Sequence, residues 1–269
     1  MTPRQVEMAD LMTKALLYDA TLCVGCKLCE QACAQKNDLP YDEEIAAQEQ
    51  LSSRKYTVLL TRGDRFMRRF CMSCSDPTCA SVCPVGALRK TASGPVIYEE
   101  SRCMGCRYCM VACPFGVPKY EWNKVLPRIQ KCNMCAERVG TGSQPACTEA
   151  CPVQASIFGD RDELVAEAWN RIRSDSSYVP RIYGMQEAGG GSVFFISDVE
   201  FEKLGFKPLP TGTQPMPTLS AAAMSDSPKV VVIGGTILSA LYWITQRRHE
   251  VALAETQQKP GTRTDEERN

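Results

Sequence analysis

Apolar residues along this chain come in short bursts for most of its length and in one long run near its end. The bursts Ala15-Leu-Leu-Tyr-Asp19 and Val96-Ile-Tyr-Glu99 have the length and composition of short strands. Tyr56-Thr-Val-Leu-Leu60 predicts another, and Val193-Phe-Phe-Ile196, after a Gly189-Gly190-Gly191 turn, a buried one. Beyond Asp160 the period changes: Leu164, Val165, Ala168, Trp169 and Ile172 share one helical face, with Asp160 and Asp162 placed to cap it. Residues 207–228 are rich in Pro, Thr, Ser and Ala without a period, which predicts an extended linker.

The long run, Val230 to Gln246, carries no charge over about seventeen residues, the short end of what a membrane span needs. Lys229 and Arg247 flank it, Tyr242-Trp243 suits the headgroup level, and Gly235 with Ser239 offers a small-residue face for another membrane helix. The competing reading is a buried helix of a soluble fold, against which stand the linker before it and the charged tail after it. Arg247 and Arg248 outnumber Lys229, so charge bias predicts a cytoplasmic tail and a periplasmic face for the rest. Met1 to Leu17 contains Glu7 and Asp10 and has neither an apolar stretch nor a twin arginine, which predicts no signal peptide. Three routes stay open: retention on the cytoplasmic side, export with a partner that carries the signal, or a processed precursor. The expected organisation is a domain over 1–187 with an insertion at 34–70, a hairpin and linker over 188–228, a span at 229–247 and a disordered tail at 248–269.

Composition changes this picture through one residue type. Sixteen cysteines fall into four sets with none left over. The central two are Cys71, Cys74, Cys79, Cys83 and Cys103, Cys106, Cys109, Cys113; the flanking two are Cys23, Cys26, Cys29, Cys33 and Cys132, Cys135, Cys147, Cys151. Proline follows Cys83, Cys113 and Cys151 and ends the ligand turn with a fixed φ. Such spacing is how small loop-rich folds hold [4Fe–4S] clusters. A disulfide framework is a poorer reading, because the thiols lie too close together in sequence to staple distant segments. Structural zinc needs two cysteines per knuckle and leaves the third and fourth of each set without a purpose.

Lys and Arg together number 31, as do Asp and Glu, so formal charge is zero before any cofactor is counted. Four anionic clusters would make the loaded chain acidic. Lys27, Arg68, Arg69, Arg102, Arg107, Lys131 and Arg138 lie beside cysteines, where they either offset cluster charge or form a solvated rim. Tyr18-Asp-Ala-Thr-Leu-Cys23-Val-Gly25-Cys26 parallels Tyr98-Glu-Glu-Ser-Arg-Cys103-Met-Gly105-Cys106, and Cys83-Pro-Val-Gly-Ala parallels Cys151-Pro-Val-Gln-Ala. The chain thus reads as α+β, with duplicated, loop-rich ferredoxin-like modules. The insertion from Ala34 to Phe70 reads as surface structure facing a partner, or as a loop over a cluster. Phe115, Tyr120 and Trp122 read as packing rather than a relay.

Nothing in the chain is suited to making bonds, so no catalytic residue is assigned. The one histidine, His249, lies past the apolar run, so paired haem ligands are missing, as is a Cys-x-x-Cys-His motif. The glycine run lacks the Lys-Ser/Thr of a phosphate loop. No nucleic-acid partner is expected.

The four sets, their order and the apolar run resemble the iron–sulfur electron-transfer subunits of respiratory membrane oxidoreductases. These include formate dehydrogenase β subunits, the ferredoxin-like subunit of periplasmic NiFe hydrogenases, and the subunits of polysulfide and dimethyl sulfoxide reductases. Gln144-Pro-Ala-Cys147, Ile157-Phe-Gly159 and Phe201-Glu-Lys-Leu-Gly205 carry the resemblance further, the last toward the hydrogenases. The resemblance implies nested bacterial-ferredoxin-like dicluster modules with crossed ligands. Cys71, Cys74 and Cys79 would then share a cluster with Cys113, and Cys103, Cys106 and Cys109 with Cys83. Cys23, Cys26 and Cys29 would share one with Cys151, and Cys132, Cys135 and Cys147 with Cys33. It implies four [4Fe–4S] clusters, a catalytic partner of NiFe or molybdopterin type, and an integral membrane partner that binds quinone or haem.

Overall fold

The computed structural model describes residues 13–206, 208, 209 and 213–258. The N-terminal leader reading and the tail beyond residue 258 lie outside the described residues. The chain divides into two compact units, residues 1–218 and 219–269.

The first unit is built on β1 (Lys14–Asp19), the central strand of a three-stranded sheet. β8 (Ser156–Asp160) runs antiparallel beside it and β9 (Val193–Ile196) parallel, in register Leu17↔Ile157 and Leu17↔Phe194. Side chains alternate across a strand, and here the alternation assigns two jobs. Ala15 and Leu17 pack with Leu164, Ala168 and Ile172 of α7 (Arg161–Ser174). Leu16 and Tyr18 face the other way, among Met72, Met134, Cys147 and Phe195. One face is scaffold and the other touches the cysteine loops.

The helix after Asp160 forms on the expected face, but Asp160 does not cap it. Its carboxylate accepts from Lys14 Nζ at 2.8 Å, an ion pair between directly opposed residues that closes one end of the β1–β8 pairing. The turn from β1 into the first cysteines is fixed by Asp19, which is fully buried. Its carboxylate accepts from Thr21 N at 3.0 Å, Tyr178 Oη at 2.9 Å and Arg171 Nη1 at 3.2 Å.

Residues 34–70 are not a surface insertion. They continue α1 (Leu28–Lys36) through the one-turn α2 (Glu43–Ala47) into a hairpin, β2 (Val58–Arg62) and β3 (Arg65–Arg69). Val58, Leu59, Leu60 and Met67 are buried, and Phe66 and Arg68 reach toward the cysteines. The continuous buried run Val58-Leu59-Leu60 and the buried Met67 and Arg68 of its partner strand make this hairpin part of the core. Further along come α3 (Thr78–Ser81), the pair β4 (Leu88–Lys90) and β5 (Val96–Tyr98), and α4 (Tyr108–Ala112). The pair β6 (Lys119–Tyr120) and β7 (Ile129–Gln130) follows, then α5 (Ala136–Gly140) and α6 (Ala146–Glu149). Trp122 is a correction to the packing expectation. It is 69% exposed and meets Tyr120 edge-on, with the Arg107 guanidinium over both rings.

The strand expected at Val193–Ile196 forms as β9, buried throughout, and it pairs parallel to β1 in the core sheet rather than in a local hairpin. The glycine run ahead of it allows close backbone approach. A Cβ on Gly191 would sit 2.5 Å from Met72 O, and Ser75 N donates to Gly190 O at 3.0 Å. The glycines therefore clamp the loop that carries Cys71 and Cys74.

In the second unit, α8 (Met216–Gln258) is continuous through Pro228. The extended-linker reading is thus corrected for residues 216–228, and the disordered-tail reading for 248–258. The stretch Leu219-Ser-Ala-Ala-Ala-Met224 is rich in strong helix formers, which the reading for Pro and Ser overlooked. This is the one helix among the described residues long and apolar enough, by length and composition, to cross a membrane. Its Thr236 and Thr245 hydroxyls donate back to Val232 O and Leu241 O, both at 2.8 Å, which leaves neither unsatisfied in an apolar setting.

Candidate metal centres

All four cysteine sets begin with the same backbone device. The residue before the second cysteine has a left-handed conformation in each: Gly25 (φ 73°), Ser73 (φ 46°), Gly105 (φ 74°) and Met134 (φ 55°). In the first and third sets the residue after that cysteine, Lys27 (φ 58°) and Arg107 (φ 65°), is left-handed too. Such turns curl consecutive N–H groups toward one side and suit an anion there. Ser73 and Met134 carry a strain that glycine would avoid, which marks these turns as constrained by what they must hold. Gly25 is needed on steric grounds as well, because a Cβ there would fall 2.5 Å from the Phe66 ring. Replacing Gly25 with Ala should cost about 1–3 kcal/mol of local strain. It should selectively lower iron at the first set, read as iron per copy and thermal stability against wild type.

All sixteen cysteines are free of disulfides. The structure brings them together across the sets. One cavity is lined by Cys33, Cys132, Cys135 and Cys147, with Arg68 and Phe70 in its wall. Another is lined by Cys83, Cys103, Cys106 and Cys109, with Leu88, Tyr98 and Ile129. Each joins one cysteine to three from a distant stretch of chain. Electrostatics groups the rest. Burial raises the Cys74 thiol, reinforced by Cys71, Cys113 and Cys79. Burial also takes Cys79 up to about 12, with Cys71 and Cys113 adding to it and Lys131 opposing. Cys109 rises to about 11 through burial and then Cys103, Cys106 and Cys83. Cys33 goes well up through burial and then Cys132 and Cys147. For the first set the neighbours are fewer: burial lifts Cys29 to about 12, Arg68 opposes, and Cys147 and Cys23 add repulsion. Cys26 is exposed and Cys151 half-buried, after α6.

A cysteine ligates a metal as the thiolate, so metal binding at these buried thiols and proton release are coupled. Among the described residues no three His, Cys, Asp or Glu side chains close up tightly enough for one shared ion. The surroundings suit a sulfur-ligated cluster. Ala87 N donates to Cys83 Sγ at 3.2 Å and Met134 N to Cys132 Sγ at 3.3 Å. The buried Tyr98 hydroxyl has no oxygen or nitrogen partner, and after burial the Cys103 thiol is what raises its pKa. A donor set made only of soft sulfur, backed by N–H groups and a spare hydroxyl, fits iron–sulfur chemistry.

Sequence reasoning named Arg68 as a possible counter-charge without foreseeing its burial, and missed Glu30 altogether. Arg68, one of seven basic residues beside cysteines, is 1% exposed. Glu30, between Cys29 and Cys33, is 2% exposed and pairs with buried Lys55 at 2.8 Å. A charged residue inside a two-cysteine helical turn was the available signal for the second.

Residues 62–161 match the family model described as a 4Fe-4S dicluster domain, a stretch holding twelve of the sixteen cysteines. Fold and sulfur-lined cavities together define a ferredoxin-like iron–sulfur protein of that class. A protein of Nitratidesulfovibrio vulgaris (strain Hildenborough) is 38% identical over 255 residues, 89% of this chain and 69% of the relative. The hydrogenase-2 operon protein HybA of Escherichia coli O157:H7 is 36% identical over 236 residues, 70% of this chain and 71% of the relative. The nitrate-inducible formate dehydrogenase iron-sulfur subunit of Escherichia coli (strain K12) is 32% identical, covering 68% of this chain and 67% of the relative. The chain belongs to the family of HybA and the formate dehydrogenase iron–sulfur subunits.

Proposed function

We propose that this chain is a non-catalytic, membrane-anchored electron-transfer subunit carrying four [4Fe–4S] clusters between a catalytic partner and a quinone-reactive membrane partner. The observation that carries the reading is the pair of cavities, each ringed by four cysteines drawn from two separated sets. The same crossing extends to Cys71, Cys74 and Cys79 with Cys113, and to Cys23, Cys26 and Cys29 with Cys151, so the two dicluster modules are nested. Bound there, the clusters supply one-electron storage and transfer. The chain's own part is to hold sulfur in place, exclude water and set charge. Cys71, Cys109 and Cys147 are buried, and Phe70, Leu88 and Ile129 wall off the cavities. Little reorganises when an electron arrives in such a dry, fixed setting.

The names of the relatives support a catalytic partner of hydrogenase or formate dehydrogenase type. α8 anchors the subunit, with the clusters on the periplasmic face and the tail in the cytoplasm, on the charge bias of Arg247 and Arg248. The test is the metal content of the complex isolated from native membranes through this chain. The expected iron, after the partner's own is subtracted, is about sixteen per copy. Nickel with hydrogen-dependent dye reduction marks a hydrogenase. Molybdenum or tungsten marks a formate dehydrogenase or a reductase, which formate oxidation separates. Zinc without iron overturns the reading.

A further inference from the structure

Arg68 heads the fully buried side chains by size, at 1% exposure. Its Nε donates to Thr57 Oγ1 and its Nη1 to Ser156 Oγ, both at 2.9 Å, and its guanidinium lies 4.3 Å from the Phe70 ring centre. Thr57 and Ser156 are themselves buried. Among the described residues no carboxylate pairs with it. Two neutral hydroxyls and a ring orient a cation, but they do not neutralise one. A buried charge without a counter-ion costs several kcal/mol, so the anion that balances Arg68 must lie close by. The side chain lines the cavity of Cys33, Cys132, Cys135 and Cys147. Its strongest electrostatic partners are the sulfurs of Cys147 and Cys29, followed by Cys132. Cys29 belongs to the first set, and Cys132 and Cys147 to the fourth.

We propose that Arg68 is a shared counter-charge wedged between two neighbouring clusters, a positioning residue that raises both potentials together. The proposal rests on the four-cluster reading above. Each reduction adds one electron and no proton to a site that is already anionic, so a fixed cation nearby favours the reduced form. Arg69, Arg102 and Arg107 lie closer to solvent, where water and salt screen them. Arg68 lies where neither reaches. β3 delivers it, and Thr57 and Ser156, from widely separated stretches of the chain, hold it in place. Arginine suits the place because its charge cannot be removed by deprotonation. Lysine in the same position would remain charged only if the clusters held its proton.

The test uses the intact membrane complex carrying Arg68→Met, Arg68→Gln or Arg68→Lys, with iron per copy and a redox titration followed by electron paramagnetic resonance. The expected result for the two neutral variants is wild-type iron, with two clusters titrating lower. The oxidised-to-reduced ratio of each, at a fixed potential, should change at least tenfold, about 59 mV for one electron. The cluster of Cys83, Cys103, Cys106 and Cys109 should not move, and Arg68→Lys should stay within about threefold of wild type, less than 30 mV. Full iron with every potential unchanged in the neutral variants overturns the proposal. So does a lysine variant that falls as far as methionine. If both neutral variants lose iron while lysine keeps it, the requirement is for charge and the proposal stands. Loss in all three makes Arg68 a shape-specific post and overturns it. A wild-type chain without iron defeats the cluster reading itself, and no variant is needed to see that.

Discussion

Cys83→Ala and Cys106→Ala should remove the same cluster, although the two residues stand more than twenty positions apart in the chain. Cys79→Ala, four residues before Cys83, should remove a different one. The crossed and uncrossed ligand schemes give opposite results here. If each four-cysteine set held its own cluster, Cys79 and Cys83 would fall together. In the structure Cys83 lines one cavity with Cys103, Cys106 and Cys109, while Cys79 has Cys71 and Cys113 as its main sulfur neighbours. Alanine is the informative replacement because serine offers an oxygen ligand. Each single change should remove about four of about sixteen irons. The paramagnetic signal lost from the reduced complex should be identical for Cys83→Ala and Cys106→Ala, and distinct for Cys79→Ala. On the proposed function, electron delivery to the membrane partner should drop to background in all three, since a wire fails at any missing link. Identical losses for Cys79 and Cys83, with Cys106 differing, would reverse the ligand scheme while leaving the cluster count intact.

What the sequence made legible were features written in local pattern. β1 and β9 announce themselves by apolar composition, α7 by a five-residue stripe, and the cysteine sets by spacing. The left-handed turn at Gly25 and Gly105 was readable because glycine marks it; the same turn at Ser73 and Met134 carries no such mark. What stayed hidden depends on contacts between distant segments. Arg68 looks like any other arginine in a basic stretch until Thr57 and Ser156 close over it. Asp160 stands at a helix start, yet Lys14, more than a hundred residues earlier, takes its carboxylate. The polar opening of residues 34–70 suggested surface, because Asp42, Glu43 and Glu44 are exposed while the hairpin behind them is core. Pro228 and the serines around it suggested a linker, where the alanines before it sustain a helix.

Removing either partner of the Glu30–Lys55 pair should do more damage than any other single change outside the cysteines. The two charges meet at 2.8 Å with side chains 0% and 3% exposed. Glu30 also accepts from Leu59 N at 2.5 Å and Tyr41 Oη at 3.0 Å. Lys55 donates to Ile45 O at 2.9 Å and Gln48 O at 2.7 Å. The pair therefore pins α1, which carries Cys29 and Cys33, to α2 and β2. Lys27, in the first ligand turn, reinforces the joint through Ala46 O at 2.8 Å. Deleting one partner leaves the other charged and dry, which costs about 3–5 kcal/mol. For a unit of this size that is an apparent melting point lower by roughly 6–20 °C. Glu30→Ala and Lys55→Ala should each show such a drop in a thermal melt of the loaded complex. Both should also lose iron first from the sites of Cys29 and Cys33, before those of Cys79 and Cys109. The double change Glu30→Met with Lys55→Met fills the volume without charge, so it should recover at least half of the lost stability. A double variant as unstable as either single one would mean that the backbone bonds to Leu59, Ile45 and Gln48, rather than the unpaired charge, hold α1 to the hairpin.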